Sequence, residues 1–184
     1  SCEIHSMSME FFTWPWMNLF FEEQSDKYKY AHLSGALTFI PYGTIVDYFQ
    51  HIVYEKPQMT PDERKQVWKD LQKEFMPYLN TDGMPFFEDG RYWQRQHHIY
   101  SSPFYYIDYC LAQTVALEYW AESQIDYKAS WNKYIAMTKR GGTDTFTGLV
   151  KSAGLESPFE EEALKKVAKI AREWLKDFDK DKLV

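Results

Sequence analysis

Two carboxylates stand close together at the start of the chain, in a run without glycine or proline before Pro15. On a helix, Glu3, Ser6, Met7 and Glu10 share one face, because the last three follow Glu3 at helical spacings. We expect this helix to be largely buried, where carboxylates need a cation, a metal or a proton to compensate them. The face therefore indicates a candidate metal or proton-transfer site. For Glu3 alone, an exposed amino-terminal turn is the alternative.

A second segment with chemical character is the run of histidines and tyrosines over residues 97–109. His97 and His98 lead into the start of an apolar helix that carries several tyrosines. Adjacent side chains point in different directions, so at most one of the two imidazoles should face a given site. A phenol can donate a hydrogen bond to a developing oxyanion, and an imidazole can bind a peptide carbonyl or carry a proton. The tyrosines could equally be core residues whose hydroxyls bond locally, and both interpretations stay open here.

Composition narrows the class of protein. The 184 residues suit one domain with a sizeable core, and we predict a single helical domain over residues 1–184. A net charge of -6 argues against nucleic acid or an anionic membrane as the main partner. The two cysteines, Cys2 and Cys110, form no spacing pattern, and no apolar run is long enough to span a bilayer. We therefore expect a cytoplasmic protein.

Helical periodicity dominates the sequence, and no alternating strand pattern of useful length occurs. Thr60-Pro61-Asp62-Glu63 is a start signal of the capping-box type, and Ser157-Pro158-Phe159-Glu160 repeats it. Gly154 is expected to be the left-handed residue that closes a short helix. We predict an all-α fold, a multi-helical bundle. Its helices should cover residues 28–54, 104–120, 126–139 and 145–152, with others following the two start signals, and residues 84–90 should be irregular.

Together, the two chemical segments resemble the zinc peptidases of the thimet oligopeptidase and oligoendopeptidase F family, and the oligoendopeptidase F branch in particular. In that family a His-Glu-x-x-His helix supplies two zinc ligands and the general base. A later helix supplies a third ligand within a Glu-x-x-Ser-x-x-x-Glu pattern, which residues 3–10 match. Residues 98–109, Gly141-Gly142 and residues 153–159 are similar to later parts of such enzymes. The resemblance covers essentially the whole chain.

The resemblance implies a metal-dependent hydrolase, a metalloendopeptidase that acts as an oligopeptidase on short peptide substrates with one zinc ion as cofactor. Glu3 would ligate the zinc, and Ser6 and Glu10 would stabilise the metal site without binding the zinc themselves. Other residues would hold the peptide backbone and stabilise the tetrahedral oxyanion. The candidates for this role are His98, Tyr106 and Tyr109, with His97, Tyr100 and Tyr105 as substrate-binding residues or as replacements for them.

The chain departs from the family pattern in one respect, because it contains no His-Glu-x-x-His. A catalytic zinc normally needs three protein ligands, so the other ligands should lie outside this chain. We interpret it as the carboxy-terminal portion of a larger zincin-like peptidase, inactive alone, with the missing amino-terminal part as its partner. A stand-alone helical interaction module without catalysis is the alternative. The remaining histidines, His5, His32 and His51, are interpreted as packing or ordinary helix residues.

Overall fold

The computed structural model describes residues 2–183, and these residues contain helices and no strands. The prediction of an all-α fold is confirmed. The α-helices are α1 (Cys2–Phe12), α2 (Asn18–Phe21), α3 (Ser25–Glu55), α4 (Pro61–Phe75), α5 (Pro85–Glu88), α6 (His97–Ser101), α7 (Ile107–Ser123), α8 (Tyr127–Lys139), α9 (Phe146–Ser152) and α10 (Glu161–Asp177). Short 3-10 helices cover Trp14–Trp16, Glu22–Gln24, Tyr92–Arg95 and Lys180–Leu183. Within the described residues, none of these helices combines the length and the apolar character needed to cross a bilayer.

The chain divides into two compact units, and each has its own core. The first unit comprises residues 1–37 and 111–184, and the second comprises residues 38–110. In the first unit, the Phe12 ring of α1 lies 5.8 Å from Tyr119 of α7 and 5.2 Å from Tyr134 of α8. The Tyr134 hydroxyl also donates to the His5 carbonyl at 3.2 Å. Helix α1 is therefore held by both side-chain packing and backbone contacts.

The second unit is built around α3 and α4. Phe49 of α3 meets Trp68 of α4 edge-on, with ring centroids 5.4 Å apart, and both rings are fully buried. The predicted capping box at the start of α4 is confirmed. The Glu63 N–H donates to the Thr60 hydroxyl, and the Thr60 N–H donates to the Glu63 carboxylate. Gly43 of α3 lies against the thiol of Cys110, where a β-carbon would overlap the sulfur. Only glycine permits this approach, which also brings the Tyr106 ring close to α3.

Three predictions about the helices were wrong: the start of one helix, one capping box and one segment predicted to be irregular. Helix α7 begins at Ile107 rather than at residue 104, because Phe104 adopts a left-handed backbone with φ 62° and its N–H donates to the buried Gln50 side chain at 2.9 Å. The second capping box does not form, and Glu160 precedes α10 without a side-chain cap. The segment predicted to be irregular contains α5. The left-handed Gly154, with φ 70°, is confirmed.

Glu118 is a buried carboxylate in the first unit, with 7% of its surface exposed. Its Oε2 accepts a hydrogen bond from the Glu156 N–H at 2.9 Å, whereas its Oε1 has no hydrogen-bond partner. Burial raises the pKa of Glu118 to about 7, against the smaller lowering effect of the Glu156 N–H. The charged form of this side chain is therefore a source of instability in the folded state.

We expect Glu118→Gln to stabilise the chain at pH 8 by roughly 2 kcal/mol and to have almost no effect at pH 4. The folded-state pKa lies above the unfolded value of 4.5. Ionisation therefore costs stability progressively as the pH rises from about 4.5 to 7, and below this window the carboxyl is protonated in both states. Glutamine keeps an oxygen acceptor for Glu156 and carries no charge.

Urea denaturation at the two pH values measures this effect, with Glu173→Gln as the control at an exposed carboxylate of α10. A stability gain of equal size at pH 4 and pH 8 would contradict the assignment of the penalty to ionised Glu118.

Candidate active site

Glu3 lies half-buried in the first turn of α1, and Ser6 follows it one turn later. The Ser6 hydroxyl is 3.1 Å from the Glu3 carbonyl oxygen and 3.3 Å from the Glu3 carboxylate Oε2. A hydroxyl proton on a carboxylate oxygen fixes the orientation of the carboxylate, as is common for metal ligands. Ser6 thus contacts the carboxylate of Glu3 within the helix, and the Glu3 carboxylate has the donor chemistry that zinc accepts.

The buried face of α1 is not the face that the carboxylate spacing predicted. Its buried residues are Ile4, Ser8, Phe11 and Phe12, whereas Ser6 and Glu10 are exposed. Ile4 and Phe12 join the core of the first unit, and burying these apolar side chains outweighs any preference of the polar ones. The expectation that Glu10 faces inward was therefore wrong for this chain.

Glu10 nevertheless has an ordered partner. Its Oε2 lies 3.0 Å from His32 Nε2, and the Trp14 indole N–H donates to His32 Nδ1 at 2.9 Å. An indole nitrogen can only donate, so Nδ1 accepts and Nε2 carries the proton that bonds to Glu10. The interpretation of His32 as an isolated helix residue was wrong. Sequence spacing gave no signal for this contact, because His32 belongs to a different helix.

His5 lies two residues from Glu3 and makes local contacts. Its ring meets Tyr134 edge-on at 5.7 Å, and its Nδ1 is 3.3 Å from the Thr138 hydroxyl. Burial lowers the pKa of His5. These contacts agree with a packing role. Across residues 2–183, no group of three or more His, Cys, Asp or Glu side chains is placed to hold a metal ion.

In the second unit, the structure brings three predicted residues together. The ring of His98 lies 5.1 Å from that of Tyr106 and 5.5 Å from that of Tyr109, and the two tyrosine rings are 5.3 Å apart. The Tyr109 hydroxyl is 3.3 Å from His98 Nε2. Burial is the main reason that the pKa of Tyr106 rises to about 12, so this phenol stays protonated at neutral pH. The cluster of two phenols and an imidazole is suited to hydrogen bonding with a carbonyl oxygen.

The alternative residues of this segment lie at its surface. His97 is exposed, and Tyr100 stacks on Trp93 with 59% of its surface accessible. Tyr105 is exposed and meets the ring of Tyr109 edge-on at 5.3 Å. The geometry therefore favours His98 over His97 as the imidazole beside Tyr109. The side chains of His97, Tyr100 and Tyr105 are accessible at the surface of the unit, where they could contact a ligand.

Sequence reasoning missed two members of the His98 cluster. The Gln96 amide nitrogen is 2.7 Å from His98 Nδ1, and the Tyr42 hydroxyl donates to Gln96 Oε1 at 2.8 Å. Burial raises the pKa of Tyr42, so this hydroxyl also remains a donor. Gln96 could have been suspected because it directly precedes the histidine pair. Tyr42 could not, because it lies in α3, far away in the sequence.

A cavity of about 740 Å³ lies in the first unit, and none of the predicted site residues lines it. Aromatic side chains form much of its wall, including Trp14, Trp174 and Phe178. Its rim carries Asp26, which is already paired with Lys182 at 2.6 Å. Asp26 is thus neutralised by Lys182, and the candidate chemistry remains with Glu3 and with the His98 cluster.

Comparisons with known proteins show which solved structures this chain resembles. The chain matches PZ peptidase A with an inhibitor (52% identity, TM-score 0.92), covering 97% of this chain and 32% of that one. It matches a provisionally assigned oligoendopeptidase F (54% identity, TM-score 0.93) over 100% of this chain and 32% of that one. A further provisional oligoendopeptidase F, from Bacillus anthracis str. Ames, is 45% identical with a TM-score of 0.82, over 100% of this chain and 29% of that one.

The chain thus spans about a third of the length of the solved structures that it matches. A comparison with curated proteins gave no match. The profile of peptidase family M3 matches residues 1–169, which is most of the chain. On this evidence, the chain belongs to peptidase family M3.

Proposed function

We propose that this chain is the carboxy-terminal portion of a cytoplasmic, zinc-dependent endopeptidase that hydrolyses short peptides, and that it is inactive alone. The observation that carries the proposal is the cluster of His98, Tyr106 and Tyr109, found in a member of peptidase family M3. Such a cluster offers neutral hydrogen-bond donors for a peptide carbonyl, which is what amide hydrolysis needs as the oxyanion develops. The partner of the chain is the part of the enzyme that carries His-Glu-x-x-His.

Glu3 is the zinc ligand that this chain contributes, and Ser6 orients it through the hydroxyl contact at 3.3 Å. Two imidazoles from a His-Glu-x-x-His helix outside these 184 residues complete the protein ligands. When bound, zinc polarises the scissile carbonyl and makes water a better nucleophile. Glu10, held by His32, supports the same stretch of α1 from its exposed side.

The residues of the second unit handle the peptide. The Tyr109 hydroxyl donates a hydrogen bond to the oxygen of the scissile carbonyl as negative charge develops there. His98 holds the Tyr109 hydroxyl in place. Tyr106, protonated at neutral pH, is a second donor in the same cluster. The exposed side chains of His97, Tyr100 and Tyr105 contact the backbone of the bound peptide. Because these donors are already oriented, little reorganisation is needed during the reaction.

The proposal is tested by reassembly. The chain is produced together with the portion of a family peptidase that carries His-Glu-x-x-His, and the purified complex is called the assembled peptidase below. We expect the assembled peptidase to cleave a fluorogenic short peptide, to lose activity when a chelator removes zinc, and to regain it when zinc is restored. Each portion alone should be inactive. A correctly associated complex without peptide cleavage would instead favour a helical interaction module.

A further inference from the structure

The Tyr42, Gln96, His98 and Tyr109 side chains form a continuous hydrogen-bonded row in the second unit. The distances along it are 2.8 Å from the Tyr42 hydroxyl to Gln96 Oε1, 2.7 Å from Gln96 Nε2 to His98 Nδ1, and 3.3 Å from His98 Nε2 to the Tyr109 hydroxyl. Gln96 stands immediately before α6 in an extended backbone conformation, with φ -81° and ψ 95°. Its side-chain amide lies between the Tyr42 hydroxyl and the His98 ring.

The orientation of the Gln96 amide follows from the need of the Tyr42 hydroxyl for a hydrogen-bond acceptor. Tyr42 is half-buried, and its ring packs edge-on against Trp68 and Tyr106. With the Gln96 oxygen toward Tyr42, the Tyr42 hydroxyl proton has an acceptor, and the amide N–H groups point at His98. The reversed amide would donate to the Tyr42 hydroxyl oxygen and leave the Tyr42 hydroxyl proton without this acceptor.

The amide orientation decides which ring nitrogen of His98 carries the proton. An amide nitrogen can only donate, so His98 Nδ1 accepts and the neutral imidazole keeps its proton on Nε2. The opposite tautomer would set two N–H groups against each other across 2.7 Å. The Nε2–H group of His98 then donates to the Tyr109 hydroxyl oxygen, and the Tyr109 hydroxyl donates its own hydrogen bond to a different acceptor.

We propose that Gln96, held by Tyr42, positions the His98–Tyr109 pair by fixing the His98 proton on Nε2. Gln96 and Tyr42 touch no reacting atom in this assignment and act only through His98. The consequence for catalysis rests on the proposed function, because a donor proton on Tyr109 matters only if a peptide carbonyl meets it. The tautomer itself is a property of the chain and can be measured without any activity.

The decisive measurement is a long-range ¹H–¹⁵N correlation spectrum of the chain with labelled histidine at pH 8. A His98→Asn variant identifies the His98 signals. We expect the Nε2-protonated pattern for His98, and a change to protonation on Nδ1 in Gln96→Glu, because a carboxylate can only accept. Gln94→Glu is the matched control, since it places the same charge on an exposed side chain two residues away and should leave the His98 pattern unchanged.

A wild-type pattern with the proton on Nδ1, or a Gln96→Glu pattern identical to the wild type, would overturn the proposal. Should Gln96→Glu fail to fold, Tyr42→Phe serves instead, because it keeps the ring and removes only the hydroxyl. We expect it to give a mixture of the two His98 tautomers. A pure Nε2 pattern in that variant would exclude Tyr42 from the row.

In the assembled peptidase, Gln96→Glu should lower kcat by about 10-fold or more, with KM changed by less than about 3-fold. An unchanged kcat in an active assembled peptidase would overturn the positioning role and leave the proposed function intact. Conversely, an inactive wild-type assembly would count against the proposed function, whereas the spectra would still decide the tautomer.

Discussion

Replacing Glu3 by glutamine is expected to lower kcat/KM of the assembled peptidase by about 10³-fold or more. The substitution preserves size and the contact with Ser6, but it removes the negative charge that a zinc ligand provides. Losing a ligand weakens metal binding and removes several kcal/mol of charge stabilisation from the transition state. The loss should therefore appear both as low activity and as low zinc content of the purified complex.

The measurement combines peptide cleavage with metal analysis of the same sample. Glu173→Gln, at an exposed position of α10, is the control for the loss of one carboxylate from the chain. Ser6→Ala should have an intermediate effect of about 10- to 100-fold, because it frees the Glu3 carboxylate without removing it. Full activity and a full zinc content in Glu3→Gln would show that Glu3 is not a ligand.

Tyr109→Phe is expected to lower kcat of the assembled peptidase by about 10²-fold while KM stays nearly constant. The phenylalanine ring can keep the contacts with His98 and Tyr106, so only the hydroxyl is lost. An interaction made chiefly in the transition state affects turnover rather than substrate binding. Steady-state kinetics on one fluorogenic peptide would separate the two quantities.

Tyr54→Phe provides the control for this prediction, since Tyr54 is an exposed tyrosine of the same unit and lies near Phe104 rather than His98. Its kinetics should match the wild type. Thermal unfolding of both variants shows whether the fold is retained. If the turnover of Tyr109→Phe is unchanged, Tyr109 is a packing residue and its hydroxyl does not meet the oxyanion.

The sequence predicted those features that depend on residues close together along the chain. The capping box of Thr60 and Glu63 and the left-handed Gly154 are both set by residues within about one helical turn. The failures have a common physical cause in tertiary contacts. Phe104 leaves the helix that periodicity assigned to it, because a buried side chain of α3 binds its backbone N–H.

The candidate site residues stay predictions. Residue types and order singled out Glu3 and the histidine-tyrosine segment as candidates, but they could not decide which imidazole meets which phenol. Two contacts that organise the candidate residues join distant positions, from Glu10 to His32 and from Tyr42 to Gln96. Such pairs have no signature in one sequence, because nothing local forces the two side chains to meet.

The close approach of Gly43 to Cys110 has a consequence for the evolution of this chain. A methyl group at position 43 would overlap the Cys110 sulfur, so Cys110, which follows Tyr109 in the first turn of α7, or the adjoining Tyr106 would have to move. Positions 43 and 110 should therefore change together in evolution. A larger residue at one position is tolerated only beside a smaller residue at the other. The absence of a side chain at position 43 thus gives Cys110 and Tyr106 the room that they occupy, and substitutions there should alter the placement of the phenols beside His98.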